Sequence, residues 1–274
     1  MMRFRFVAGA VLIVIGALVL LNVLFHVLGI MFRVGWVFWP LVLIGLGVWL
    51  VTGFSRGGSH AGVSREQAAV PLEGAVEAAI TVHHGAGRLT IGSGAASDQL
   101  LMGSFGGGLD AERRQEGSRL RVDMRVKERD FSRYIFGSWQ KGWAGRLDWD
   151  FILNPSVPLD LRLETGASET LLSLTELNVR ELSIKTGASS TTVELPRSVA
   201  MTRVHVESGA AAVKILVPQG VAATILVKSA LAGIHVDSMR FPPAAGGYRS
   251  PEYEGAKNRV EILIETGVGS IDIF

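Results

Sequence analysis

The sequence contains no cysteine in 274 residues, which excludes disulfide frameworks, thiolate zinc sites and cysteine nucleophiles. Charge is also scarce: 19% of residues are charged against 48% hydrophobic, and the mean hydropathy is +0.34. That is greasier than an ordinary soluble globular protein, so part of the chain is expected in lipid. Acidic residues are absent altogether from residues 1–65, which hold Arg3, Arg5, Arg33, Arg56 and Arg65, a net charge of +5. The remainder carries 22 basic and 25 acidic residues, a net of −3. The pI near 9.1 therefore reflects the flanks of an apolar segment. No phosphate-binding face, and so no nucleic-acid partner, is implied.

The apolar residues come in two runs. Arg5 and Arg33 enclose 27 uncharged residues, Phe6 to Phe32, broken only by Asn22 and His26, and Arg33 and Arg56 enclose another 22. About 20 apolar helical residues cross a bilayer's hydrocarbon core, so two spans are expected, joined by a turn around Gly29 to Gly35. A cleavable signal peptide is the rival reading, but the run is too long and no small-residue cleavage site follows it. Arginines at both outer flanks against the lone Arg33 in the turn place both ends in the cytoplasm. The expectation is a multi-pass protein of the cell membrane, with the lipid bilayer as a partner and a cytoplasmic C-terminal part. Asn22 and His26 lie one helical turn apart and are read as bonding to the second helix or approaching the interface, since neither span offers a charged partner.

From about residue 75 the pattern changes. A short phrase recurs: LRLETGAS at Leu161–Ser168, LSIKTGAS at Leu182–Ser189 and VHVESGAA at Val204–Ala211, with weaker copies at Ile225–Ala232 and Ile262–Gly269 and a fragment at Ala79–Gly87. The phrase glycine stands at 166, 187 and 209, and Ala230 replaces it in the fourth copy, giving steps of 21, 22 and 21 residues. A fixed period of this size denotes stacked repeats, none able to bury its apolar face alone. Within each copy the apolar residues alternate with period 2, which specifies strands. Leu161/Leu163, Leu182/Ile184, Val204/Val206, Ile225/Val227 and Ile262/Ile264 are expected inward, as are Thr191/Val193, Val213/Ile215, Ile234/Val236 and Ile271/Ile273 beyond a corner. Glycine at that corner allows positive φ without steric cost.

The expected fold is thus an N-terminal two-helix transmembrane hairpin (1–54), a linker (55–74) and an all-β domain (75–274), a parallel β-solenoid of about 21 residues per coil. Stacked in sequence order, one outward column reads Glu164, Lys185, Glu207, Lys228, Glu265, with the sign alternating at every step. Opposite charges about 4.8 Å apart stabilise where like charges would repel. The neighbouring column, Thr165, Thr186, Ser208, Ser229 and Thr266, is expected to form a hydroxyl ladder.

Two stretches break the period. Asp237–Asn258 is rich in proline and glycine and reads as a loop excursion before the last coil. Residues 113–146 hold ten Arg/Lys against four acids and interleave cations with aromatics. Within it, Arg129, Arg133, Tyr134, Phe136, Trp139, Lys141 and Trp143 form a candidate interaction loop, which contacts the anionic leaflet or a protein partner, or else covers one end of the solenoid's own core. Single-stranded RNA binding suits the composition but has no recognisable module behind it.

The histidines do not cluster as metal ligands: His83 and His84 point to opposite faces of one strand, and His205 and His235 fall at outward positions. Gly106–Gly108 lacks the tail of a phosphate loop and reads as a turn. Nothing in the sequence assembles a nucleophile with a base, so no catalytic, metal or cofactor site is expected.

The segment WPLVLIGLGVWL, opening at Trp39-Pro40, resembles the small transmembrane module of LiaI/LiaF-type bacterial proteins. The repeated ETGAS/KTGAS/ESGAA phrase, preceded by DFILNPSVPLDLRLETGAS, resembles the toast-rack, adhesin-like β-solenoid domain that often follows such modules. The resemblance implies a membrane-bound regulator that damps a sensor histidine kinase responding to cell-envelope stress, and it supplies no catalytic residues. LiaF-type proteins commonly have more spans and lack the basic aromatic insertion. The alternatives are a membrane-anchored structural scaffold that self-assembles into homo-oligomers through solenoid ends, and a polysaccharide-active enzyme of the kind β-solenoids can host.

Overall fold

The computed structural model describes Val19 and residues 65–127, 147–244 and 246–274. The chain divides into two compact units, Met1–Gly58 and Ser59–Phe274, and every described residue except Val19 belongs to the second. The hairpin expected over 1–54 and all seven residues of the candidate interaction loop lie outside the described residues. Among the described residues, no helix is long and apolar enough to cross a membrane.

The second unit is all-β, one unclosed sheet of 13 strands. Six long strands carry the repeat: β2 (Glu77–Ser93), β7 (Leu159–Ser173), β8 (Val179–Glu194), β9 (Met201–Leu216), β10 (Val221–Val236) and β13 (Asn258–Ile273). They stack in parallel, residue phrase on residue phrase: Glu164 lies opposite Lys185, and Lys185 opposite Glu207. Each strand bends at its phrase. Thr165 pairs with Thr186 and Ala167 with Ala188, but Gly166 and Gly187 make no ladder pair between them. Two arms result, with inward side chains on both. Leu161, Leu163, Leu182, Ile184, Val204, Val206, Ile262 and Ile264 are buried on the first arm, and Thr191, Val193, Val213, Ile215, Ile271 and Ile273 on the second. Each fully buried aliphatic side chain contributes about 1.5–3 kcal/mol before the entropy of ordering is subtracted. Ile234 departs from the expected burial at 42% exposed.

The phrase glycines are required for a reason other than the one expected. None of Gly166, Gly187, Gly209 or Gly267 has positive φ. A Cβ at Gly166 would instead lie 2.3 Å from the Gly85 carbonyl oxygen, and at Gly187, Gly209 and Gly267 it would meet the preceding glycine's oxygen at 3.2, 3.1 and 2.6 Å. The corners stack backbone on backbone, with no room for a methyl group at Gly166 and Gly267 and a tight fit for one at Gly187 and Gly209.

The strand order also differs from sequence order. The stack runs β2-β7-β8-β9-β13-β10, with β13 inserted between β9 and β10. The excursion over Asp237–Asn258 makes this possible: its short strands β11 (Pro243–Ala244) and β12 (Gly247–Arg249) lie on the far side of β10, and the chain then passes back to leave β13 on the near side. The last copy of the phrase is therefore an interior coil, and the copy bearing Ala230 is the terminal one. A terminal strand has a neighbour on one side only, so it can shift outward to accommodate a methyl group at its corner.

At β2 the sheet forks. The first arm of β2 pairs with β5 (Arg119–Val126), itself hairpinned to β4 (Leu109–Glu116). The second arm pairs with β6 (Trp149–Leu153), followed outward by β3 (Gln99–Gly106) and β1 (Arg65–Pro71). Two sequence expectations are corrected here. β1 falls inside the stretch read as a linker, so the sheet reaches back at least to Arg65. Residues 113–127, read as part of an aperiodic basic loop, form strands β4 and β5. Between the arms of the fork sits an aromatic core in which Phe105 meets Trp149 edge-on at 5.2 Å and stacks on Phe151 at 5.7 Å, while the indole Nε1–H donates to the Gly106 carbonyl at 3.0 Å.

Candidate interaction surfaces

Three surfaces of the unit carry the charge and apolar patterning from which a site can be built. The first is the corner column. Its spatial order is His83, Glu164, Lys185, Glu207, Glu265, Lys228, so the expected alternation fails at one step, where Glu207 and Glu265 lie side by side. Each of these acids has a cation on its other flank: Lys185 Nζ lies 2.8 Å from Glu207 and Lys228 Nζ 2.9 Å from Glu265. The Lys228 hydrogen bond and charge hold the Glu265 carboxyl below the usual carboxylate range. At the head of the column, the His83 ring lies between two carboxylates, 3.1 Å from Glu164 and 3.4 Å from Asp123. His83, Glu164, Lys185 and Glu207 line an open groove of about 720 Å³ that runs along the corners.

Beneath the column, Thr165, Thr186, Ser208 and Thr266 are buried. The expected hydroxyl ladder is reduced to one bond, Ser208 Oγ donating to Thr266 Oγ1 at 2.8 Å. The Thr165 and Thr186 hydroxyls have no partner among the described residues. His84, on the opposite face from His83 as expected, is buried, and its Nε2 donates to the Leu147 carbonyl at 2.7 Å. Burial holds this imidazole below its ordinary pKa, so it is the neutral form. No group of three or more His, Asp or Glu side chains among the described residues is arranged to hold a metal ion.

The second surface is the forked end. The cations of the basic stretch that lie on β4 and β5 are paired, Arg113 with Glu73, Arg114 with Glu112, Arg119 with Asp160, Arg121 with Glu116 and Arg125 with Asp123, and Lys127, just beyond β5, pairs with Glu66. The Lys127 ammonium holds the Glu66 carboxyl below its usual range. Each exposed pair adds about 0–1 kcal/mol.

The third surface is the opposite end, formed by β10. Only Thr224 and Ile225 of β10 pair with β12. Phe241 and Tyr253 of the excursion are buried, and Ser250 Oγ accepts from the Ala223 N–H at 2.9 Å, so the first arm is covered. From Leu226 to Val236 no strand of the described residues lies on the outer side. Leu226, Leu231 and Ile234 are 38%, 75% and 42% exposed there. The described residues thus form a bent parallel stack with glycine at every corner but that of β10, forked at one end and, among the described residues, uncovered along the second arm of β10 at the other.

Residues 59–216 match the family described as the N-terminal domain of toast-rack, DUF2154. The chain belongs to this family. A crystal structure of a Clostridium sporogenes protein whose name proposes cell adhesion superposes on the toast-rack chain with a TM-score of 0.67 at 20% identity, covering 77% of this chain and 98% of that one. At that identity the likeness is one of fold. A Bacteroides fragilis protein named as an adhesin covers 79% of this chain and 100% of its own at 8% identity, with a TM-score of 0.29. No curated protein matches.

In the toast-rack domain the column residues Glu164, Lys185, Glu207, Glu265 and Lys228 share one register line, in an order that differs from the sequence order expected. Sequence reasoning missed His83 as the column's head, although the fragment at Ala79–Gly87 contained the signal: His83 precedes Gly85 at the spacing by which Glu164 precedes Gly166. It also missed the bare edge of β10. The signal there was Ala230, the single non-glycine corner.

Proposed function

We propose that this protein is a non-enzymatic bacterial membrane protein whose β-solenoid serves as a docking module for a membrane partner such as a sensor histidine kinase of the envelope-stress response. In this reading, residues 1–54 form a LiaI/LiaF-type hairpin that tethers the solenoid at the cytoplasmic leaflet. The solenoid presents side walls and an end and has no reaction centre. The observation that carries the docking role is the outer edge of β10. That strand contains one charged residue, Lys228, in 16, whereas β7, β8 and β13 each contain four. Soluble proteins blunt an exposed edge with charge, proline or a bulge, because unpaired peptide groups recruit other strands. Here the interior strands are charged and the edge is bare, the reverse of that protection, as expected of an edge kept for strand addition.

The test substitutes Leu231→Lys, a charge at the most exposed residue of the edge. A strain carrying it is expected to reproduce the envelope-stress reporter phenotype of deleting the gene, with the variant folded and at normal abundance in the membrane. Wild-type reporter behaviour from the edge variant would overturn docking through this edge, and no reporter change on deletion would overturn the regulatory role. The edge equally suits the structural-scaffold reading, because a strand of the same chain is one of the strands it can recruit.

A further inference from the structure

β5 and β6 pair with the first and second arms of β2 respectively, so together they make one more rung of the stack. β2 passes its corner in the five residues 84–88, between its last pair with β5, His83↔Arg125, and its first pair with β6, Leu89↔Trp149. The outer rung spends the 23 residues 126–148 on the same corner. Residues 128–146 are therefore the enlarged corner of a rung, and they leave and return on the corner line of the stack. Lys127 is held there by Glu66 at 2.7 Å. The Leu147 carbonyl accepts from His84 at 2.7 Å, beside Gly85, the first of the corner glycines. We infer that the groove along the corners is a docking site whose occupant is this chain's own segment 128–146. The inference is independent of the edge of β10.

Three observations carry it. The first is where there is room. On the outer side of the enlarged corner Gly106, Gly107 and Gly108 are buried, and a Cβ at Gly107 would meet the Leu147 side chain at 2.8 Å. On the inner side Gly85, Gly166, Gly187 and Gly209 are exposed, and so are Ala167, Ala188 and Ala210 beside them. The groove of about 720 Å³ lies along these corners, with bare backbone and methyl groups for a floor.

The second is what the segment brings. Its 19 residues hold five aromatics, Phe131, Tyr134, Phe136, Trp139 and Trp143, in a chain that is 8% aromatic. Glycine within a strand has no side chain to pack and lets another group approach its backbone closely. An aromatic ring laid across it supplies the missing cover, and each ring buries about 150–250 Å². The segment's Arg129, Arg133, Lys141 and Arg146 outnumber Glu128 and Asp130, a net of +2, against the net −1 of Glu164, Lys185 and Glu207 on the groove wall.

The third is reach. Going out and back, the segment extends about nine residues each way, roughly 30 Å at most. The corners from β2 to β9 span three strand spacings, about 14 Å. The segment covers that distance with chain to spare.

The lack of cysteine makes the test direct. In the full chain, solubilised in neutral detergent, single cysteines replace Ala167, Ala188 or Ala210 in the groove. Ser173, exposed at the far end of the second arm of β7, serves as reference. Modification by a charged maleimide is timed in this chain and in a variant of equal length whose five segment aromatics are serine. Ala188→Cys is expected to react roughly tenfold or more slowly with the aromatics present, and Ser173→Cys equally in both chains. A second measurement leaves the aromatics in place. Under a mild oxidant, Ser138→Cys is expected to form an intramolecular disulfide with at least one of the three groove cysteines and none with Ser173→Cys. Equal Ala188→Cys rates in the two chains, or no disulfide to any groove position, would overturn the assignment. So would shielding of Ser138→Cys that arises only on adding vesicles of anionic phosphatidylglycerol, since the segment's partner would then be lipid.

Discussion

At the forked end of the sheet, β4 carries five charged residues in eight, and at the opposite end β10 carries one in sixteen. The forked end also buries Trp149, Phe105 and Phe151, while β10 leaves Leu231 and Ile234 in solvent. Both ends terminate the same stack of bent strands, so the difference is not imposed by the repeat. One end is finished as a monomer's surface is finished, with aromatic filling inside and ion pairs outside. The other is left as an interior coil would be, with the next rung missing. Stability belongs to the first, and recruitment, in the function proposed above, to the second.

That division makes predictions of decreasing size. Trp149→Ala at the forked end removes a fully buried indole and is expected to cost about 3–5 kcal/mol, whereas Leu231→Ala at the open end should stay within about 0.5 kcal/mol, both read from the denaturant midpoint of the monomeric state. Similar costs at the two ends would erase the contrast. Along the corner, Gly166→Ala is expected to cost about 1–3 kcal/mol, because its Cβ would meet the Gly85 oxygen at 2.3 Å. Gly187→Ala should cost less, with 3.2 Å available, and Ala230→Gly on the terminal strand should relieve nothing measurable.

His84 gives the forked end a pH dependence. Its pKa is lowered in the folded state, so the unfolded chain takes up a proton first on acidification. Stability is therefore full above the unfolded value of about 6.5 and falls below it, by at most about 1.4 kcal/mol per pH unit for this group. Denaturant titrations across that range should flatten in His84→Gln. The smallest effect tests the strand order. A double-mutant cycle between Glu207 and Glu265 should return a repulsive coupling of about 0.2–1 kcal/mol, and one between Glu207 and Lys228 essentially none. Stacking in sequence order would give the reverse.

Much of the repeat was legible because it is local. Period-2 alternation decides which side chain faces inward, and a fixed step of about 21 residues decides what stacks on what, so Leu161, Ile184 and Val206 were placed in the core before any coordinates. The same logic put Ile234 inside, and it fails there because burial needs a further rung that the fold does not supply. Strand order is a non-local property. Sequence order and the observed order both set Lys228 beside Glu265, but only sequence order alternates the charge at every step, so the charge pattern pointed to the order the fold does not adopt. The forked end was the least legible part: β1, β3, β4, β5 and β6 carry no phrase, and their pairing depends on how they fill the space beyond β2. The basic stretch looked like one loop because composition was averaged over it. Half of it is hairpin, with its arginines matched to acids as distant in sequence as Glu73 and Asp160.

The interior position of β13 has a consequence for how the domain is made. On a growing chain β9 and β10 emerge well before β13 exists, and in that interval the free side of β9, whose other side pairs with β8, is open to β10. That provisional pairing would bring Lys228 beside Glu207, an attraction the finished fold gives up in favour of two neighbouring acids. If that pairing forms during synthesis, admitting β13 requires opening it. Pulse-labelled hydrogen exchange during refolding should find the amides of β10 protected late, after those of β7 and β8.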